Sequence, residues 1–579
     1  MRGGVRKVDK HIWESSYPEG IEWNFKPPHL PVYDLLKQAA RKHPKRVALD
    51  FLGKKMTYET LWKEVSNFAS GLQRRGIKPG DKIGICLPNS FHYVIGYYGV
   101  LLAGGTVVNF NPLYTEAELS TLVRDSGVRL MITSDIKHVY NKVYAALNNS
   151  DMCSIVVAPF SANLPLVKKA LFNIVKPEKL ASLPEGNTVL PWAKVSSLDA
   201  DPDPVEVQPD TDIALYQYTG GTTGLPKAAM LTHTNLMSNV EQANIWREGA
   251  ERVSEHDRFF AVIPFFHVFA MTALMNLCMR RGGTLFMHPK FDVKQTLKGI
   301  QKHKPTMFAG VPALYNALLN YKHIGRYNLK SIEFCISGGA ALPAEVRDEF
   351  IKKTGANMVE GYGLSETSPV ACCNPARGLN KAGSIGLPLP GTEISIRSLE
   401  DRKDTCGIGE DGEVAIRGPQ VMKGYAGRPK ETKDTFYKNW FLTGDVGHMD
   451  EDGYVFITDR LKEMINVSGF KVYPRHIEEA LYSHSAVMEA AVIGVPHPKK
   501  GEVPKAFVAL KAGESVTAEE LKKYAAAHLN PYEKIAEIEF REELPKTLIG
   551  KLLKKELVQD EKQNQKRQKN MKKKRISRS

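Results

Sequence analysis

One ten-residue stretch combines glycines, hydroxyl side chains and a cation in a way that suits phosphate binding. It reads Tyr218-Thr219-Gly220-Gly221-Thr222-Thr223-Gly224-Leu225-Pro226-Lys227 and follows the apolar run Ile213-Ala214-Leu215. Glycines let backbone amides approach an anion closely, hydroxyls donate hydrogen bonds without adding charge, and a lysine supplies positive charge. The order differs from a Walker loop, because Lys227 follows a proline and precedes Ala228. The stretch therefore predicts a loop that holds the phosphates of a nucleotide, with a flexible surface turn as the alternative.

Further glycine-rich and acidic motifs follow downstream in a fixed order. They are Ile336-Ser337-Gly338-Gly339-Ala340, Glu360-Gly361-Tyr362-Gly363-Leu364-Ser365-Glu366-Thr367, Trp440-Phe441-Leu442-Thr443-Gly444-Asp445, Asp459-Arg460-Leu461-Lys462-Glu463, Val467-Ser468-Gly469-Phe470-Lys471-Val472 and Leu544-Pro545-Lys546-Thr547-Leu548-Ile549-Gly550-Lys551. Each motif alone is weak, because a glycine pair is more often a turn. Together, over residues 30–558, they closely resemble the adenylate-forming superfamily, which holds acyl-CoA synthetases, luciferases and peptide-synthetase adenylation domains.

The resemblance implies an enzyme that binds ATP and Mg²⁺ through residues of these motifs. The phosphates of ATP would contact Thr219, Gly220, Gly221, Thr222, Thr223, Gly224 and Lys227. The adenine would be surrounded by Gly339, Ala340, Glu360, Gly361, Tyr362, Gly363 and Ser365. The ribose hydroxyls would contact Asp445 and Arg460. Glu366 would bind the magnesium, since a hard cation prefers carboxylate oxygen. Outside this family pattern, Glu366 could be a helix-start carboxylate, Asp445 a turn residue and Arg460 a surface ion-pair partner. Ala228 and Ser365 depart conservatively from the usual glycine and threonine of the family.

The resemblance also implies a two-step reaction with Lys551, Glu366 and Thr219 as the catalytic residues. Lys551 would stabilise the transition state in which a carboxylate attacks ATP and forms acyl-AMP and pyrophosphate. Coenzyme A, as co-substrate, would then attack the acyl-AMP. For this second step the small domain of the family pivots at the position of Asp459, and Ser468, Gly469 and Phe470 would line the thiol channel.

The acid that is activated is predicted from the segment Pro264-Phe265-Phe266-His267-Val268-Phe269. Amino-acid adenylators usually carry an aspartate near here, whereas this chain offers aromatic residues and His267. Phe266, His267 and Gly338 are therefore the predicted acyl-site residues, with core packing as the alternative for His267. Ala270–Cys278 predicts a helix that forms either an apolar wall of this site or plain core.

Two sequences, Phe265-Phe266-His267-Val268 and the stretch from Glu360 to Pro369, look most like those of bacterial long-chain fatty acyl-CoA synthetases. This likeness implies a fatty acid–CoA ligase of lipid metabolism. The alternatives are an aryl-CoA ligase of the 4-coumarate type, a medium-chain acyl-CoA ligase and, from another class, a non-catalytic nucleotide-binding protein. Each buried methylene contributes about 0.8 kcal/mol, so pocket depth could set chain preference, but sequence does not give depth.

Composition predicts a large globular protein with an uneven basic charge. The chain has 579 residues, 42% apolar, and a formal net charge of +15. Seven cysteines without C-x-x-C spacing argue against a disulfide framework or zinc site. The charged segment 1–7 has no apolar run after it, which argues against a secretory signal and leaves the cytoplasm as the expected compartment.

The basic tail, residues 559–579, carries roughly half of the net charge and is predicted to be disordered. Three roles compete: a solvated tail, peripheral contact with anionic lipid on the inner face of the membrane, and nucleic-acid binding. The last is disfavoured, because no aromatic residue interleaves with the charge. A homodimer is left open.

Alternating strand-like and helical patterns predict the fold class. Examples are the runs 82–87, 105–110 and 129–133. They indicate an α/β protein whose large N-terminal domain has parallel-rich sheets covered by helices, with a smaller mobile α+β C-terminal domain. The predicted ranges are an N-terminal extension 1–29, a large ATP- and acyl-binding domain 30–459, a lid domain 460–558 with helix 474–483 and strand 489–495, and the tail.

The segment 164–176, Leu-Pro-Leu-Val-Lys-Lys-Ala-Leu-Phe-Asn-Ile-Val-Lys, is apolar and flanked by lysines. Such a segment could lie on a membrane surface. A buried helix with a lysine-lined edge is the favoured interpretation.

Overall fold

The structure is a computed structural model that describes residues 10–175, 177–197, 199–219, 226–249, 255–546 and 552–564. The chain forms two compact units. The first comprises Met1–Ile394, Ile416–Phe441 and Asp452–Tyr454, and the second comprises Ser395–Ala415, Leu442–Glu451 and Val455–Ser579. This division does not test the domain ranges predicted from the sequence, so the boundary at Asp459–Arg460 stays a prediction.

The first unit contains two large sheets. The strands of the nine-stranded sheet, in chain order, are β1 (Val47–Phe51), β2 (Lys54–Thr57), β10 (Arg258–Ala261), β11 (Thr284–Met287), β12 (Met307–Gly310), β13 (Phe334–Ser337), β14 (Asn357–Gly363), β15 (Val370–Cys373) and β16 (Leu387–Pro388). Their order across the sheet is β16-β15-β14-β13-β12-β10-β11-β1-β2. The run from β14 to β1 is parallel, and the strands at both edges are antiparallel.

The eight-stranded sheet is also mainly parallel, with antiparallel strands at one edge. Its strands are β3 (Lys82–Cys86), β4 (Thr106–Asn109), β5 (Leu130–Ser134), β6 (Ser154–Ala158), β7 (Val189–Pro191), β8 (Ile213–Thr219), β9 (Lys227–Thr232) and β19 (Gly424–Tyr425), in the order β19-β9-β8-β4-β3-β5-β6-β7. Every pairing from β8 to β7 is parallel, while β8–β9 and β9–β19 are antiparallel. The predicted strand runs coincide with β3, β4 and β5, which are buried along almost their whole length because helices cover the sheet.

Two smaller groups of strands complete the sheets. A five-stranded sheet in the order β17-β18-β21-β20, with β22 on β21, contains β17 (Glu393–Arg397), β18 (Gly412–Arg417), β20 (Phe436–Tyr437), β21 (Trp440–Met449) and β22 (Val455–Arg460). The second unit has its own sheet, ordered β24-β23-β26-β25 with β27 on β26, from β23 (Ile465–Val467), β24 (Phe470–Val472), β25 (Val487–His497), β26 (Gly501–Leu510) and β27 (Glu537–Phe540).

Within the described parts of the chain, sixteen helices precede the helical residues 554–564. They are α1 (Asp34–Lys42), α2 (Tyr58–Gln73), α3 (Phe91–Leu102), α4 (Glu116–Ser126), α5 (Lys137–Asn148), α6 (Leu166–Val175), α7 (Trp192–Ser196), α8 (His233–Glu248), α9 (Val268–Ala270), α10 (Leu277–Arg281), α11 (Val293–His303), α12 (Pro312–Leu319), α13 (Ala344–Thr354), α14 (Pro429–Thr435), α15 (Pro474–Tyr482) and α16 (Ala518–Ala526). Short 3-10 turns cover Ile12–Ser16, Phe160–Asn163, Pro177–Lys179, Ile324–Arg326, Ser365–Thr367 and Pro531–Glu533, and a π-helical turn covers Met271–Asn276. None of the helices in these described ranges has the length and apolar character that crossing a bilayer requires.

The α/β fold class is confirmed, and the predicted helix 474–483 and strand 489–495 correspond to α15 and β25.

The prediction that the whole tail is disordered needs a correction for its first residues. Residues 554–564 are helical, so 559–564 are ordered rather than disordered. Apolar and ionic contacts hold this helix: Leu557 is buried, and Glu561 pairs with Lys505 at 2.8 Å. Residues 565–579 of the tail lie outside the described residues.

Candidate active site

The predicted phosphate loop joins two antiparallel strands of the first unit. Thr219, the last residue of β8, is paired with Lys227, the first residue of β9. The pairing fixes both ends of the loop, and both residues are half-buried. Gly220, Gly221, Thr222, Thr223 and Gly224 lie outside the described residues. The fold therefore places a hydroxyl and an ammonium at the base of the predicted loop.

Glu366 is buried beside the same strand system. It follows β14 in the 3-10 turn Ser365–Thr367, and only 8% of it is exposed. The Tyr425 hydroxyl donates a 2.7 Å hydrogen bond to Glu366 Oε1. The Met422 amide donates to the Glu366 backbone carbonyl at 2.8 Å. Burial and the nearby Glu366 carboxylate raise the pKa of Tyr425, so the phenol stays protonated and remains a donor.

Tyr425 also contacts the lysine of the phosphate loop. Its strand, β19, pairs with β9, with Tyr425 opposite Ala229. Lys227 Nζ lies 4.9 Å from the centroid of the Tyr425 ring, within the range of a cation–π contact. Tyr425 thus touches the predicted phosphate-binding lysine with its ring and the predicted metal-binding carboxylate with its hydroxyl. Sequence reasoning missed this residue, since no motif marks it and the contact spans 59 positions.

The predicted adenine motifs lie at the carboxyl ends of adjacent parallel strands. Ser337 at the end of β13 is paired with Gly310 of β12 and with Glu360 of β14. Gly338 and Gly339 leave the sheet at this edge, and the Gly338 amide donates to the Gly310 carbonyl at 3.2 Å. Carboxyl ends of parallel strands are where open α/β sheets bind ligands. The structure therefore brings the two motifs together at an edge suited to a ligand.

Glycines are required here for steric and conformational reasons. Gly339 has φ +81°, a left-handed conformation that favours glycine. A Cβ on Gly363 would lie 1.9 Å from the Pro369 carbonyl oxygen, and one on Gly361 would lie 2.9 Å from the Ile336 side chain. The exposed Ala340 and half-buried Tyr362 complete the two motifs. Packing against the Pro369 backbone thus explains why Gly363 cannot be larger, independently of any nucleotide, whereas a larger residue at Gly361 would require the end of the Ile336 side chain to move.

Two of the three predicted acyl-site residues, Phe266 and His267, lie directly before α9. Phe266 is buried, its carbonyl accepts a 3.0 Å hydrogen bond from Gln217 Nε2, and its ring lies 4.5 Å from that of His267. Burial lowers the pKa of His267 to about 4, so the imidazole is neutral near pH 7. A Cβ on Gly338 would lie 3.3 Å from the Phe269 ring. Gly338 therefore lies against the aromatic segment predicted to contact the acid.

The predicted helix 270–278 is interrupted. It consists of the end of α9, the π-helical turn Met271–Asn276 and the start of α10. Met271, Leu274 and Met275 are almost completely buried, as core packing predicts. The buried Asn276 accepts a 2.7 Å hydrogen bond from the Tyr98 hydroxyl. A polar side chain with a partner in the core explains how this apolar stretch tolerates Asn276.

In the second unit, the predicted ribose-binding residues form a pair. Asp445 of β21 lies opposite Arg460 of β22, and Arg460 Nε is 3.1 Å from Asp445 Oδ1. The Asp445 side chain is 4% exposed and that of Arg460 is 39% exposed. Thr443 Oγ1 accepts a 3.0 Å hydrogen bond from the Asp445 amide. The structure therefore joins two residues from separate motifs into one oriented carboxylate–guanidinium pair.

The predicted thiol-channel residues form a hairpin in the second unit. Ser468 and Gly469, with φ 55° and 92°, make the two-residue turn between β23 and β24. Positive φ at both positions is the requirement of a type I′ turn, which explains the glycine. Phe470 is 56% exposed and stacks on Tyr532, with ring centroids 4.9 Å apart. The turn thus presents an aromatic pair rather than burying it.

Two further titratable groups of the second unit have shifted pKa values. Burial raises the pKa of Asp459 to about 6, although its carboxylate accepts amide hydrogen bonds from Arg460 and from Arg475. Lys554 forms ion pairs with Glu463 at 2.9 Å and Glu478 at 2.8 Å. Burial lowers the pKa of Lys554, but these carboxylates outweigh it and raise the pKa overall. Lys551, the predicted catalytic lysine, lies outside the described residues.

The described residues include no group of three histidine, cysteine or carboxylate side chains able to hold a metal by themselves. Mg²⁺ commonly binds through one or two carboxylates plus substrate phosphates. Glu366, with its hard oxygen donors beside the phosphate-loop strand, has suitable chemistry. Cys372 and Cys373 are buried, as predicted for packed small side chains.

Comparison with known proteins identifies the class of this fold and site. Residues 36–426 match the model of the AMP-binding enzyme family, and residues 476–551 match that of the AMP-binding enzyme C-terminal domain. The chain belongs to the AMP-binding enzyme family.

Individual relatives are similar over nearly the whole chain. A long-chain-fatty-acid–CoA ligase of Bacillus subtilis is 41% identical over 563 residues, covering 95% of this chain and 98% of the relative. A 4-coumarate–CoA ligase of Narcissus pseudonarcissus is 30% identical over 564 residues, covering 96% and 97%. The crystal structure of an anthranilate CoA ligase in complex with anthranoyl-AMP superimposes with a TM-score of 0.82 at 25% identity, covering 94% of this chain and 99% of that one.

Proposed function

We propose that this protein is an AMP-forming long-chain fatty acid–CoA ligase. The observation that carries the proposal is the 41% identity to the Bacillus subtilis long-chain-fatty-acid–CoA ligase over 95% of the chain. The contacts of Tyr425 with Lys227 and Glu366 support it, because they join a cation and a hard anionic ligand where a magnesium–phosphate complex needs both.

The phosphates of ATP would be held by the loop from Thr219 to Lys227. Backbone amides, hydroxyls and the Lys227 ammonium would neutralise and orient the anion. Glu366 would hold Mg²⁺, which would supply positive charge to offset the negative charge of the phosphates. The Tyr425 hydroxyl bond fixes the orientation of this carboxylate.

The nucleoside would be bound by residues from four of the sequence motifs. Gly339 and Ala340 on one side and Glu360, Gly361 and Tyr362 on the other would contact adenine, with Gly363 and Ser365 continuing the loop. Asp445 would accept hydrogen bonds from the ribose hydroxyls, with Arg460 orienting it. Their 3.1 Å ion pair supports this assignment, because it holds the Asp445 carboxylate in one orientation.

The chemistry would proceed in two balanced steps. In the first, a carboxylate oxygen of the fatty acid attacks the α-phosphorus of ATP, and the bond to the pyrophosphate oxygen breaks. The Lys551 ammonium would stabilise the negative charge of this transition state, and Thr219 would help to position the phosphates. In the second, the deprotonated sulfur of coenzyme A attacks the acyl carbon and AMP leaves. Ser468, Gly469 and Phe470 would contact the pantetheine arm.

The acyl chain would contact Phe266, His267 and Gly338. A neutral His267 among aromatic rings supports an uncharged chain over a substrate with an ammonium group. Chain-length preference, including a medium-chain alternative, depends on the depth of the acyl site. The 30% identity to a 4-coumarate–CoA ligase supports an aryl-CoA ligase as the second candidate.

We assign the protein to the cytoplasm, with peripheral contact to anionic membrane through the basic tail, as the +15 net charge supports. A homodimer is a further arrangement to be tested by light scattering.

Pyrophosphate release with ATP, Mg²⁺ and matched acids tests the proposal. Palmitate, octanoate and 4-coumarate are compared with and without coenzyme A. Release that is strongest with palmitate and coenzyme A supports the proposal. Preference for octanoate would shift the function to a medium-chain ligase, and preference for 4-coumarate to an aryl ligase. Release with none of them would identify a non-catalytic nucleotide binder.

A further inference from the structure

Helix α6 exposes its apolar side chains instead of burying them. Leu166 is 85% exposed, Val167 81%, Leu171 60% and Ile174 77%. Helices on protein surfaces normally turn such residues toward the core. The favoured sequence interpretation, a buried helix with a lysine-lined edge, is therefore wrong, and the membrane-surface alternative fits the exposure.

The exposed residues form one continuous stripe. At roughly 100° per residue, Leu166, Ala170, Ile174, Val167 and Leu171 fall within an arc of roughly 140°. We call these five residues the α6 apolar face. They lie side by side along a ten-residue helix, so the face is a contiguous patch rather than a set of scattered exposed residues.

The opposite side of α6 attaches the helix to the protein. Phe172 lies roughly opposite the centre of the α6 apolar face, and its ring is 5.5 Å from that of Phe160. Lys168 Nζ donates a 2.7 Å hydrogen bond to the Leu52 carbonyl. The attachment explains why the apolar face points away from the first unit: the aromatic contact and the lysine bond fix the rotation of the helix.

Positive charge flanks the α6 apolar face. Lys168 and Lys169 each fall roughly 60° beyond one edge of the arc. Lys54 is close to Lys169: burial, and then the charge of Lys169, lower the pKa of Lys54. Residues 152–177 contain three lysines and no aspartate or glutamate. An apolar face bordered by lysines, with no acid in its own segment of the chain, is the pattern of helices that lie in the interface of an anionic bilayer.

We propose that the α6 apolar face docks onto anionic lipid bilayers, with its leucine, valine and isoleucine side chains inserted at the level of the acyl-chain boundary and its lysines at the headgroups. A second copy of the chain fits less well. A two-fold contact would bring the same lysines face to face. The four large side chains offer roughly 400 Å² of apolar surface, at roughly 100 Å² each, which is about half of the roughly 800 Å² per partner of a stable interface.

Vesicle co-sedimentation tests the proposal with the full-length protein, without ATP, coenzyme A or fatty acid. Vesicles of phosphatidylcholine with and without phosphatidylglycerol are compared for the unmodified protein and for the double variant Leu171→Gln/Ile174→Gln. We expect binding to the anionic vesicles, reduced at least fivefold in the variant. The matched control is Leu379→Gln/Ile408→Gln, which changes side chains 57% and 55% exposed outside α6 and should bind as the unmodified protein does.

A second measurement reports insertion directly. Because the chain has six tryptophans of its own, the Leu171→Trp variant is compared with the unmodified protein: phosphatidylglycerol vesicles carrying brominated acyl chains should quench a larger share of its fluorescence, and Leu379→Trp should show no such increase. Unchanged binding of the double variant, or equal quenching at both positions, would overturn the proposal. Conversion of a dimer to a monomer by the double variant, with vesicle binding unaffected, would assign the face to a second copy instead. Since no catalytic step is involved, failure here is distinguishable from failure of the ligase proposal.

Discussion

The hydroxyl of Tyr425 donates a 2.7 Å hydrogen bond to the buried Glu366 carboxylate. The same tyrosine ring lies 4.9 Å from Lys227 Nζ. One side chain therefore supports both the cation and the carboxylate that the proposed function assigns to the magnesium–phosphate complex. We infer that Tyr425 is a positioning residue of the ATP site.

The substitution Tyr425→Phe separates the two contacts, because it removes the hydroxyl and keeps the ring. Losing a hydrogen bond to a charged group costs about 1.5 kcal/mol, so KM for magnesium-ATP should rise roughly tenfold. KM for the fatty acid should stay within a factor of about two. Steady-state kinetics give both values. Tyr524→Phe, which removes a hydroxyl bond to the Ser483 carbonyl in the second unit, is the control; an equal rise there would contradict the assignment.

Asp445 can be tested with modified nucleotides. If its carboxylate accepts from the ribose hydroxyls, the unmodified enzyme should prefer ATP over 2′-deoxy- and 3′-deoxy-ATP in kcat/KM. The substitution Asp445→Asn should lower kcat/KM for ATP by roughly 10- to 100-fold and largely abolish this preference. An Asp445→Asn enzyme that still discriminates as strongly as the unmodified one would show that the carboxylate acts only through its 3.1 Å ion pair with Arg460.

Lys551 and Lys554 should behave differently although they are close in sequence. Lys551→Ala should abolish acyl-AMP formation and leave thioester formation from supplied acyl-AMP largely intact. Lys554→Ala should mainly destabilise the second unit by roughly 2–4 kcal/mol, because the carboxylates of Glu463 and Glu478 lose their partner. Half-reaction assays and denaturant unfolding separate these effects. Equal damage by Lys551→Ala to both half-reactions would contradict its role.

Buried histidines should make the first unit sensitive to acid. Burial lowers the pKa of His92 and of His233 to about 4, below the value of about 6.5 in unfolded chains. The unfolded state then binds more protons, so the stability contribution is complete above about pH 6.5 and is lost as the pH falls toward 4. At pH 5 each histidine should cost roughly 2 kcal/mol.

Urea unfolding between pH 7.5 and 5 measures this dependence. His92→Asn should flatten the loss of stability on acidification by removing one such group, whatever its effect at pH 7.5. The exposed His323→Asn is the control and should leave the slope unchanged. A slope that is equally steep in His92→Asn and in the unmodified protein would contradict the expected titration.

Local patterns predicted much of the fold, and long-range contacts account for what they missed. The strands β3, β4 and β5 were predictable because a buried parallel strand is a short apolar run. The family resemblance implied that Gly339 and Glu360 belong to one adenine site, which stays a prediction; the strand before Gly339, β13, is paired with β14, which contains Glu360. Tyr425 was not predictable, because its partners depend on the pairing of β19 with β9.

Helix α6 was correctly predicted to be a helix, but its apolar face was predicted to be buried and is exposed. Periodicity shows that the apolar residues share a face, but it does not show which way the face points. Rotation is decided by Phe172 against Phe160 and by the Lys168 bond to the Leu52 carbonyl, which are tertiary contacts. The part of helix 554–564 that lies in the predicted tail was missed for a similar reason: Glu561 pairs with the distant Lys505.

The proposed enzyme activates a fatty acid through acyl-AMP. The most direct test incubates palmitate labelled with ¹⁸O in both carboxylate oxygens with ATP, Mg²⁺ and coenzyme A, followed by mass spectrometry. We expect palmitoyl-CoA, pyrophosphate and AMP in equal amounts, with one ¹⁸O transferred to the phosphate of AMP. Formation of ADP and phosphate, or AMP without ¹⁸O, would contradict it.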